Sequence, residues 1–271
     1  MTKSDKKVAL ITGASLGIGR ATAIAFKQAG YNVFGTSRKT GTGNSDGITM
    51  LVCDVTDGTS VESMVAEVLR QTGWIDVLVN NAGIGLLGGA EESSVEQAQA
   101  LFNVNVFGLM RVTNAVLPTM RGQGKGVIIN MSSVLGLIPA PYNAIYASTK
   151  HAVEGYSESL DHEVRTQGIR VVLVEPGITR TSFDDNIIKP DQMLPVYDAE
   201  RSRMDALMRS LFQSGDTPEV VAATAVKAAT ATVPKRRYPA GKQASQISFV
   251  RRFLPASMVD TSLRKFNGLA V

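Results

Sequence analysis

Tyr146 and Lys150 are the residues of this sequence whose types and spacing best suit proton transfer. They stand four residues apart in the segment AIYASTKHAV, and residues at that spacing share one face of a helix. A phenol and an ammonium group both have reference pKa values of about 10. A nearby cation favours the ionised phenol, so Lys150 would lower the pKa of Tyr146. The pair therefore predicts acid–base chemistry at an alcohol or a carbonyl group.

The required shift in pKa is large. A phenol with a pKa of about 10 is ionised in roughly one molecule in a thousand at pH 7. Lowering that pKa by about three units needs about 4 kcal/mol of differential stabilisation. An alcohol carbon releases a hydride only as its hydroxyl proton departs, and a ketone accepts a hydride only as its oxygen is protonated. This chemistry requires a hydride carrier beside the pair, and Tyr146 taken singly is more simply a packed aromatic.

A glycine-rich turn in LITGASLGIGR offers a place for such a carrier. Gly13, Gly17 and Gly19 lie between an apolar run and a helical segment. Glycines let the backbone approach a pyrophosphate, whose charge is favoured by the free N–H groups of a helix N-terminus. The spacing is G-x-x-x-G-x-G rather than G-x-G-x-x-G, and glycines also serve plain turns. The position at a first strand–helix junction favours a dinucleotide site.

Strand and helix patterns alternate along the chain. Apolar strand candidates are KVALIT, YNVFGTS, ITMLVCD, IDVLVNNAG, GVIINMSS and IRVVLVEPG. Helical segments between them, such as SVESMVAEVLRQTG, end at glycines that suit a C-terminal cap. Near-continuous apolar strands are typical of a sheet covered on both faces. The pattern predicts an α/β fold, in which residues 1–271 form a single-domain doubly wound parallel sheet, a Rossmann fold.

Two segments depart from this alternation. Residues 178–216 are too long for an ordinary connection and are predicted to form a substrate lid. Residues 235–271 form a basic C-terminal extension with eight Lys or Arg and one acid, Asp260, hence +7, which leaves −3 on the rest of a chain whose net charge is +4. The basic extension could contact nucleic acid or an anionic membrane, or be a solvated face. Packing on the lid or on a partner subunit is the preferred interpretation, and no nucleic-acid partner is predicted.

Composition indicates a globular protein with a sizeable core, since 44% of residues are apolar and 19% charged. The single cysteine, Cys53, excludes an internal disulfide framework and favours a cytoplasmic location. The two histidines, His151 and His162, have no cysteine or acid in metal-ligand spacing, so no metal site is predicted.

From about Lys7 to Gly241 the chain resembles the short-chain dehydrogenase/reductase family. The resemblance rests on T-G-x-x-x-G-x-G at 12–19, N-N-A-G at 80–83, Ser133-x12-Tyr146-x3-Lys150, Asn105, and the dipeptide Pro176–Gly177. It implies a catalytic set of Asn105, Ser133, Tyr146 and Lys150. Ser133 would polarise the substrate oxygen, and Lys150 would also hold the nicotinamide ribose. Asn105 would hold a helix bend and a water, although it also reads as a helix-interrupting cap.

The resemblance also implies which residues contact the cofactor. Tyr146 and Lys150 belong to both sets. The remaining positions are Gly13, Ser15, Leu16, Gly17, Ile18, Gly19, Ser37, Arg38, Lys39, Asp54, Val55, Asn81, Ala82, Gly83, Pro176, Gly177, Ile178, Thr179 and Thr181.

The end of the second strand indicates which nucleotide is bound. Sites specific for NAD usually present an acid there, whereas this chain has Ser37, Arg38 and Lys39. An arginine suits a 2′-phosphate, so the predicted cofactor is NADP(H). Leu16 departs from this pattern, since many NADP-preferring relatives carry a basic residue there, and Arg38 could be a solvated loop cation. Two roles are equally consistent with Asp54: contact with the adenine, as the resemblance implies, or an acid that caps the following helix or forms a turn.

The lid and the extension bear on the substrate. Met204, Leu207, Met208 and Leu211 have helical spacing, and this apolar stripe would pack on the body and roof an apolar pocket. The two segments resemble those of the hydroxysteroid and retinol dehydrogenase-like branch. We therefore expect an NADP-dependent oxidoreductase acting on a lipophilic ketone, aldehyde or secondary alcohol, assembled as a homodimer or homotetramer. A 3-oxoacyl-carrier reductase and a non-catalytic NADP-binding regulator are the alternatives.

Overall fold

A parallel sheet forms the centre of the molecule. The computed structural model describes residues 6–38, 46–181 and 187–268. Within these ranges the sheet has seven strands in the order β3-β2-β1-β4-β5-β6-β7. The strands are β1 (Val8–Ile11), β2 (Asn32–Ser37), β3 (Thr49–Val52), β4 (Val77–Asn80), β5 (Gly126–Met131), β6 (Ile169–Pro176) and β7 (Arg237–Ala240).

Helices cover both faces of this sheet. A π-helical turn, Asn103–Gly108, joins the third helix to the fourth. The helices are α1 (Gly17–Gln28), α2 (Gly58–Thr72), α3 (Val95–Phe102), α4 (Leu109–Gln123), α5 (Ala144–Val164), α6 (Asp198–Ser214), α7 (Pro218–Thr230), α8 (Lys242–Phe253) and α9 (Ala256–Phe266).

The alternation of side chains along each strand divides the core into two layers. In β1, Val8 and Leu10 enter a cluster with residues of α2, α4 and the end of α5. Ala9 and Ile11 enter a second cluster with α1 and α7 on the opposite face. Because both faces are covered, every residue of β1 is buried. This explains the near-continuous apolar strands of the sequence.

The strand order reverses between β1 and β4. The chain builds outward from β1 to β3 and then returns to add β4 on the other side of β1. At such a switch point a crevice opens outside the carboxyl ends of the strands, and ligands bind there in open α/β sheets. Most of the predicted cofactor residues lie at or just beyond those ends, from Gly13 after β1 to Gly177 after β6.

Helix α5 is tied to the sheet by a buried carboxylate. Asp161 is fully buried and accepts hydrogen bonds from the Val171 N–H at 3.0 Å and from Arg170 Nε at 2.9 Å. Arg165 forms a further ion pair with it. Burial alone would raise the pKa of Asp161, but these donors outweigh burial and lower it. This attachment fixes the helix that carries Tyr146 and Lys150.

One helical run has the length and apolar composition of a membrane span. The run Val95–Gln123 has a mean hydropathy of 1.3 over its most apolar window, and half of that window is buried inside the protein. Its residues Leu101, Val112 and Val116 are fully or almost fully buried. Core helices pass the same test of length and composition, and the burial is typical of one.

The predicted doubly wound parallel sheet is confirmed, with one change at its edge. All six predicted strands are present, but residues 237–240, predicted to belong to an extension, form β7 beside β6. The strand has four residues and contains Pro239. Proline is tolerated at an edge strand because one side of it needs no hydrogen-bond donor. Because residues 237–240 do not have the apolar pattern of an ordinary core strand, the sequence did not indicate β7. The helical part of the extension, outside the sheet, begins at Lys242.

Candidate active site

The glycine turn after β1 is compressed against its neighbours. Gly13 has φ of +64°, a conformation that side chains rarely adopt. A Cβ atom on Gly19 would lie 2.1 Å from the Gly13 carbonyl oxygen, so the start of α1 packs directly on the turn. Helix α1 has no side-chain cap and no acid in its first turn. Its free N–H groups therefore face the crevice and favour a bound anion.

The N-N-A-G segment after β4 is bonded to this turn. Thr12 Oγ1 accepts hydrogen bonds from the N–H groups of Asn81 and Ala82, each at 3.0 Å. Asn81 Nδ2 donates in return to the carbonyl oxygens of Thr12 at 3.0 Å and Gly13 at 3.1 Å. The segments after the two central strands are thereby held as one unit. Thr12 was part of the quoted motif, yet sequence reasoning did not single it out as a site residue.

Arg38 and Asp54 both face the crevice, on the segments that follow β2 and β3. Arg38 is exposed and follows β2 directly, and Lys39 lies outside the described residues. Asp54 Oδ1 accepts from the Thr56 N–H at 2.8 Å and the Thr56 hydroxyl at 2.7 Å, and these bonds lower its pKa. Asp54 is thus a turn acid, while the N-terminal cap of α2 is Asp57. Asp54 also faces the cavity, so an adenine contact remains open to it.

Asn105 lies within the π-helical turn between α3 and α4. Its Oδ1 accepts from the Ile84 N–H at 2.9 Å, and its Nδ2 donates to the Ile84 carbonyl at 2.9 Å and to Thr149 Oγ1 at 3.2 Å. The side chain therefore joins the segment after β4 to α5. The predicted helix bend is present at this residue, and Asn105 is a bridge between elements rather than a cap.

Ser133 and Tyr146 meet across the crevice. Ser133 follows β5, and its Oγ accepts from the Leu135 N–H at 3.1 Å. Tyr146, near the start of α5, keeps a small exposed fraction and forms a hydrogen bond with Ser133. Burial raises the pKa of Tyr146 above its usual value, and the Ser133 hydrogen bond offsets only part of this. The two residues, thirteen apart in sequence, are brought together by the fold.

Lys150 lies close to the ring of Tyr146 and is bonded to a backbone carbonyl. Lys150 Nζ donates to the Met131 carbonyl at 2.9 Å and lies 5.7 Å from the centroid of the Tyr146 ring. Burial lowers the pKa of Lys150 to about 8, and the charge of Glu154 opposes that change. In the protein alone the pKa of Tyr146 is therefore raised rather than lowered, because loss of water around the phenol outweighs the Ser133 hydrogen bond. A further positive charge at the phenol is needed.

A cavity of about 1420 Å³ contains these groups. Every predicted cofactor residue in the described ranges faces it, as do Ser133, Tyr146 and Lys150. Asn105 does not line it and lies behind its wall. Among the described lining residues, Arg38, Asp54 and Lys150 are the charged ones, and the last of them donates to a backbone carbonyl. The part of the cavity that is lined by residues of α6, α8 and α9, called the apolar half below, therefore has no charged lining residue among those described.

The lid forms one apolar wall of that half. The predicted stripe is present, and the residues of α6 that face the cavity are Met204, Leu207, Met208, Leu211 and Phe212. Ile187 also faces it, whereas Ile188 and Met193 are exposed and Phe183 lies outside the described residues.

The lid is fastened to the segment after β4 by a buried acid. Glu92 is fully buried and accepts from the N–H groups of Gly89 at 2.8 Å and Leu194 at 2.9 Å. Arg201 forms an ion pair with it. Burial would raise the pKa of Glu92, but these partners lower it on balance. A charged attachment of this kind holds α6 over the crevice.

The C-terminal helices form the remaining wall, which sequence reasoning missed. The apolar residues they contribute are Ile247, Val250, Val259, Leu263 and Phe266. The carbonyl of Asn267, after α9, accepts from Arg203 Nη1 of α6 at 2.9 Å. The extension thus packs on the lid, as the preferred interpretation held. The available signal was the spacing of Val259, Leu263 and Phe266, which places them on one helical face.

Comparison with known proteins assigns this site to a family. A family model described as short chain dehydrogenase matches residues 7–192. A 3-ketodihydrosphingosine reductase of Bacteroides thetaiotaomicron is 37% identical over 268 residues, which cover 96% of this chain and 97% of that protein. An uncharacterized oxidoreductase of Escherichia coli K12, YbbO, is 34% identical over 266 residues, or 97% of this chain and 96% of that protein. The chain belongs to the short-chain dehydrogenase/reductase family of oxidoreductases.

Solved structures agree with this assignment. A short-chain dehydrogenase from Streptomyces avermitilis has a TM-score of 0.82 at 33% identity, covering 98% of this chain and 97% of that one. A Burkholderia phymatum relative in complex with NAD has a TM-score of 0.81 at 26% identity and covers 97% of each chain. A serine dehydrogenase complexed with NADP+ has a TM-score of 0.74 at 28% identity, covering 85% of this chain and 93% of that one. The compressed glycine turn and the uncapped α1 N-terminus fit the nicotinamide dinucleotide that this fold binds.

Replacing Gly19 with alanine tests the glycine turn. The added Cβ would overlap the Gly13 carbonyl, so we expect Gly19→Ala to weaken binding of NADH and NADPH by roughly 5- to 100-fold, from an overpacking penalty of about 1–3 kcal/mol. Gly155→Ala is the control, because that helical glycine has open space around it. Fluorescence titration, with circular dichroism for folding, measures both. Unchanged affinity in a folded Gly19→Ala protein would contradict the assignment.

Proposed function

We propose that this protein is an NADP(H)-dependent oxidoreductase that interconverts a lipophilic ketone and its alcohol. The membership in an oxidoreductase family supports the reaction class. The observation that carries the proposal is the meeting of Ser133, Tyr146 and Lys150 where a dinucleotide crevice joins an uncharged, largely apolar half-cavity.

In this proposal Ser133, Tyr146 and Lys150 have different tasks. Ser133 donates a hydrogen bond to the substrate oxygen and polarises the carbonyl. Tyr146 transfers the proton to or from that oxygen. Lys150 holds the nicotinamide ribose and, with the ring of the oxidised cofactor, provides positive charge near the phenol. When bound, the nicotinamide supplies or accepts the hydride.

Asn105 contributes through position rather than contact with substrate. Its bonds to Ile84 and Thr149 join the segment after β4 to α5, on which the tyrosine lies. A water held nearby, as the family resemblance implies, would connect Lys150 with solvent for proton exchange.

Arg38 supports a preference for NADP(H) over NAD(H). It is exposed at the carboxyl end of β2 and faces the cavity, and the position carries no acid that would repel a 2′-phosphate. Structural relatives bind NAD in one case and NADP+ in another, so the preference rests on Arg38 itself.

The apolar half-cavity supports a lipophilic substrate. Its described walls, from α6, α8 and α9, contain no charged residue that faces it. The relative named as a 3-ketodihydrosphingosine reductase favours a long-chain ketone over a steroid or a retinoid. A 3-ketoacyl-carrier reductase from Brucella melitensis is less similar, at 26% identity and a TM-score of 0.72. That alternative would leave the apolar walls made by α8 and α9 without a use.

A non-catalytic, nucleotide-sensing role is the alternative of another class. Such a protein has no need of a tyrosine and a lysine stacked beside Ser133. The presence of all three at one cavity, with Tyr146 bonded to Ser133 and Lys150 Nζ 5.7 Å from the Tyr146 ring centroid, favours catalysis.

Replacing Tyr146 with phenylalanine tests the chemistry. The loss of the phenolic proton should lower kcat by roughly 10²- to 10⁴-fold, with a much smaller effect on NADPH affinity. Tyr156→Phe on the same helix is the control, because that hydroxyl interacts with Thr113 and does not line the cavity. A folded Tyr146→Phe enzyme with full turnover would show that another group transfers the proton.

Reversing the charge at Arg38 tests the choice of nucleotide. Loss of a charge-assisted bond worth about 1.5–3 kcal/mol should weaken NADPH binding in Arg38→Asp by roughly 10- to 100-fold, with little change for NADH. Arg121→Asp makes the same charge change at the end of α4, where Arg121 bonds Gln167 outside the cavity. Equal affinities for NADH and NADPH in the unmodified protein would exclude the proposed preference.

A homologous series of ketones tests the substrate class. Each methylene group buried in the apolar half contributes up to about 0.8 kcal/mol, so kcat/KM should rise by up to about fourfold per methylene until the cavity is filled. Met208→Asn, in the wall, should flatten this rise, whereas Val196→Asn, on the exposed side of the lid, should not. NADPH oxidation measures both. A preference for charged sugar acids or short thioesters would overturn the substrate class.

A further inference from the structure

Glu154 is a buried acid that the proposed mechanism does not use. It lies on α5 one turn beyond Lys150, so the two side chains share a helical face. Only 4% of Glu154 is exposed, and it does not line the cavity. A buried carboxylate is costly unless charged or polar partners compensate it. Its surroundings therefore indicate what it does.

Four elements meet at this carboxyl group. Arg237 of β7 forms ion pairs with Glu154 and, at 2.8 Å, with Glu175 of β6. The same guanidinium bonds Glu158, one turn further along α5, at 3.1 Å. The Ser132 hydroxyl, at the end of β5, interacts with Glu154 as well.

The space for Glu154 is provided by a glycine. A Cβ atom on Gly136 would lie 2.8 Å from Glu154 Cγ and 2.7 Å from Ser132 Oγ. Both distances are shorter than real Cβ contacts, so a larger residue at this position would have to displace the Glu154 or Ser132 side chain. The position is thus built by the surrounding chain rather than filled by chance.

Charged groups of both signs surround Glu154. Within the described residues, Arg237, Glu175 and Glu158 act on its carboxyl group, and Glu154 in turn acts on Lys150, one turn back along α5. Burial raises the pKa of Glu154 to about 7, and Arg237 opposes that rise. Burial likewise lowers the pKa of Lys150 to about 8, and Glu154 opposes that fall. Near neutral pH each group therefore depends on its neighbour for its charge.

We propose that Glu154, clamped by Arg237 of β7, is a positioning residue that keeps the Lys150 ammonium charged beside Tyr146. Arg237 holds the carboxylate ionised, and the carboxylate holds the lysine protonated. The seventh strand thereby acts on the proton-transfer pair without touching substrate or cofactor. This charge relation, the effect of Arg237 and Glu154 on the protonation of Lys150, can be measured without an activity assay. Its consequence for catalysis rests on the proposed function.

The pKa of Lys150 provides the direct test. Titration by NMR of lysines labelled at Cε, with Lys150→Arg for assignment, follows this group in the full-length protein. Removing the negative charge in Glu154→Gln should lower the pKa of Lys150 by about one unit, the smaller end of the effect of a close opposite charge. Glu158→Gln is the control, since Glu158 shares Arg237 but lies two turns from Lys150. An unchanged Lys150 titration in folded Glu154→Gln protein would overturn the proposal.

Arg237 provides a second test that does not depend on the Glu154 variant folding. Arg237→Gln should also lower the pKa of Lys150, because Glu154 then becomes protonated. In Arg237→Lys, which keeps the positive charge, the pKa of Lys150 should stay close to its value in the unmodified protein. In a protein that already carries Glu154→Gln, Arg237→Gln should cause no further change in the pKa of Lys150. An unchanged Lys150 pKa in Arg237→Gln would contradict the proposal. So would an equally large effect of Arg237→Gln on the Lys150 pKa when Glu154→Gln is already present.

The pH dependence of turnover separates this inference from the proposed function. The high-pH limb of kcat/KM for ketone reduction should move to lower pH in Glu154→Gln by the same amount as the Lys150 titration. A shifted titration together with a fully active Tyr146→Phe enzyme would refute the proposed chemistry and leave the charge relation intact. A fixed titration with an inactive Tyr146→Phe enzyme would refute the charge relation alone.

Discussion

The ammonium group of Lys150 is almost entirely buried, and several contacts with distant parts of the molecule stabilise its charge. Only 8% of the residue is exposed, and burial by itself favours the neutral amine. The carbonyl of Met131 accepts one of its protons, and Glu154 supplies an opposite charge one turn away. A buried cation of this kind is stable only while its partners stay in place. The rigidity of the surrounding elements is therefore a requirement of the site.

That rigidity comes from contacts between segments that are distant in sequence. Thr12 and Asn81 bind the segments after β1 and β4 to each other, and Asn105 binds the second of these to α5. Asp161 fixes the other end of α5 to β6. The parallel sheet brings the carboxyl ends of its strands to one edge, so these few polar bonds are enough to define the relative positions of the reacting groups.

The sequence predicted the parts of the molecule in which a local pattern and a positional requirement coincide. The apolar strands, the glycine turn and the Ser133–Tyr146–Lys150 spacing each have a local signature, and the structure brings these residues to one cavity. Asp54 was left between two roles because its bonding to Thr56 depends on backbone geometry. The electrostatic state of Tyr146 was not predictable either, since the spacing of a lysine says nothing about burial of the phenol or the direction of the ammonium.

The features that sequence reasoning missed are those created by long-range packing. Residues 237–240 lack the apolar run of a core strand, and their pairing with β6 depends on the exposed edge of the sheet. The walls contributed by α8 and α9 depend on how the chain returns over the crevice. Helix α9 has a readable apolar face, but nothing in the sequence says that this face meets α6 across a cavity.

The position of α8 and α9 after the last strand has a further consequence. Residues 242–268 contribute a wall to the apolar half-cavity but no strand to the sheet and none of the Ser–Tyr–Lys set. The glycine turn and the proposed Ser133–Tyr146–Lys150 set all precede this segment in the sequence. One contiguous terminal piece can therefore vary among relatives, or be exchanged between them in a chimaera, so that selectivity diverges while the underlying reaction is retained.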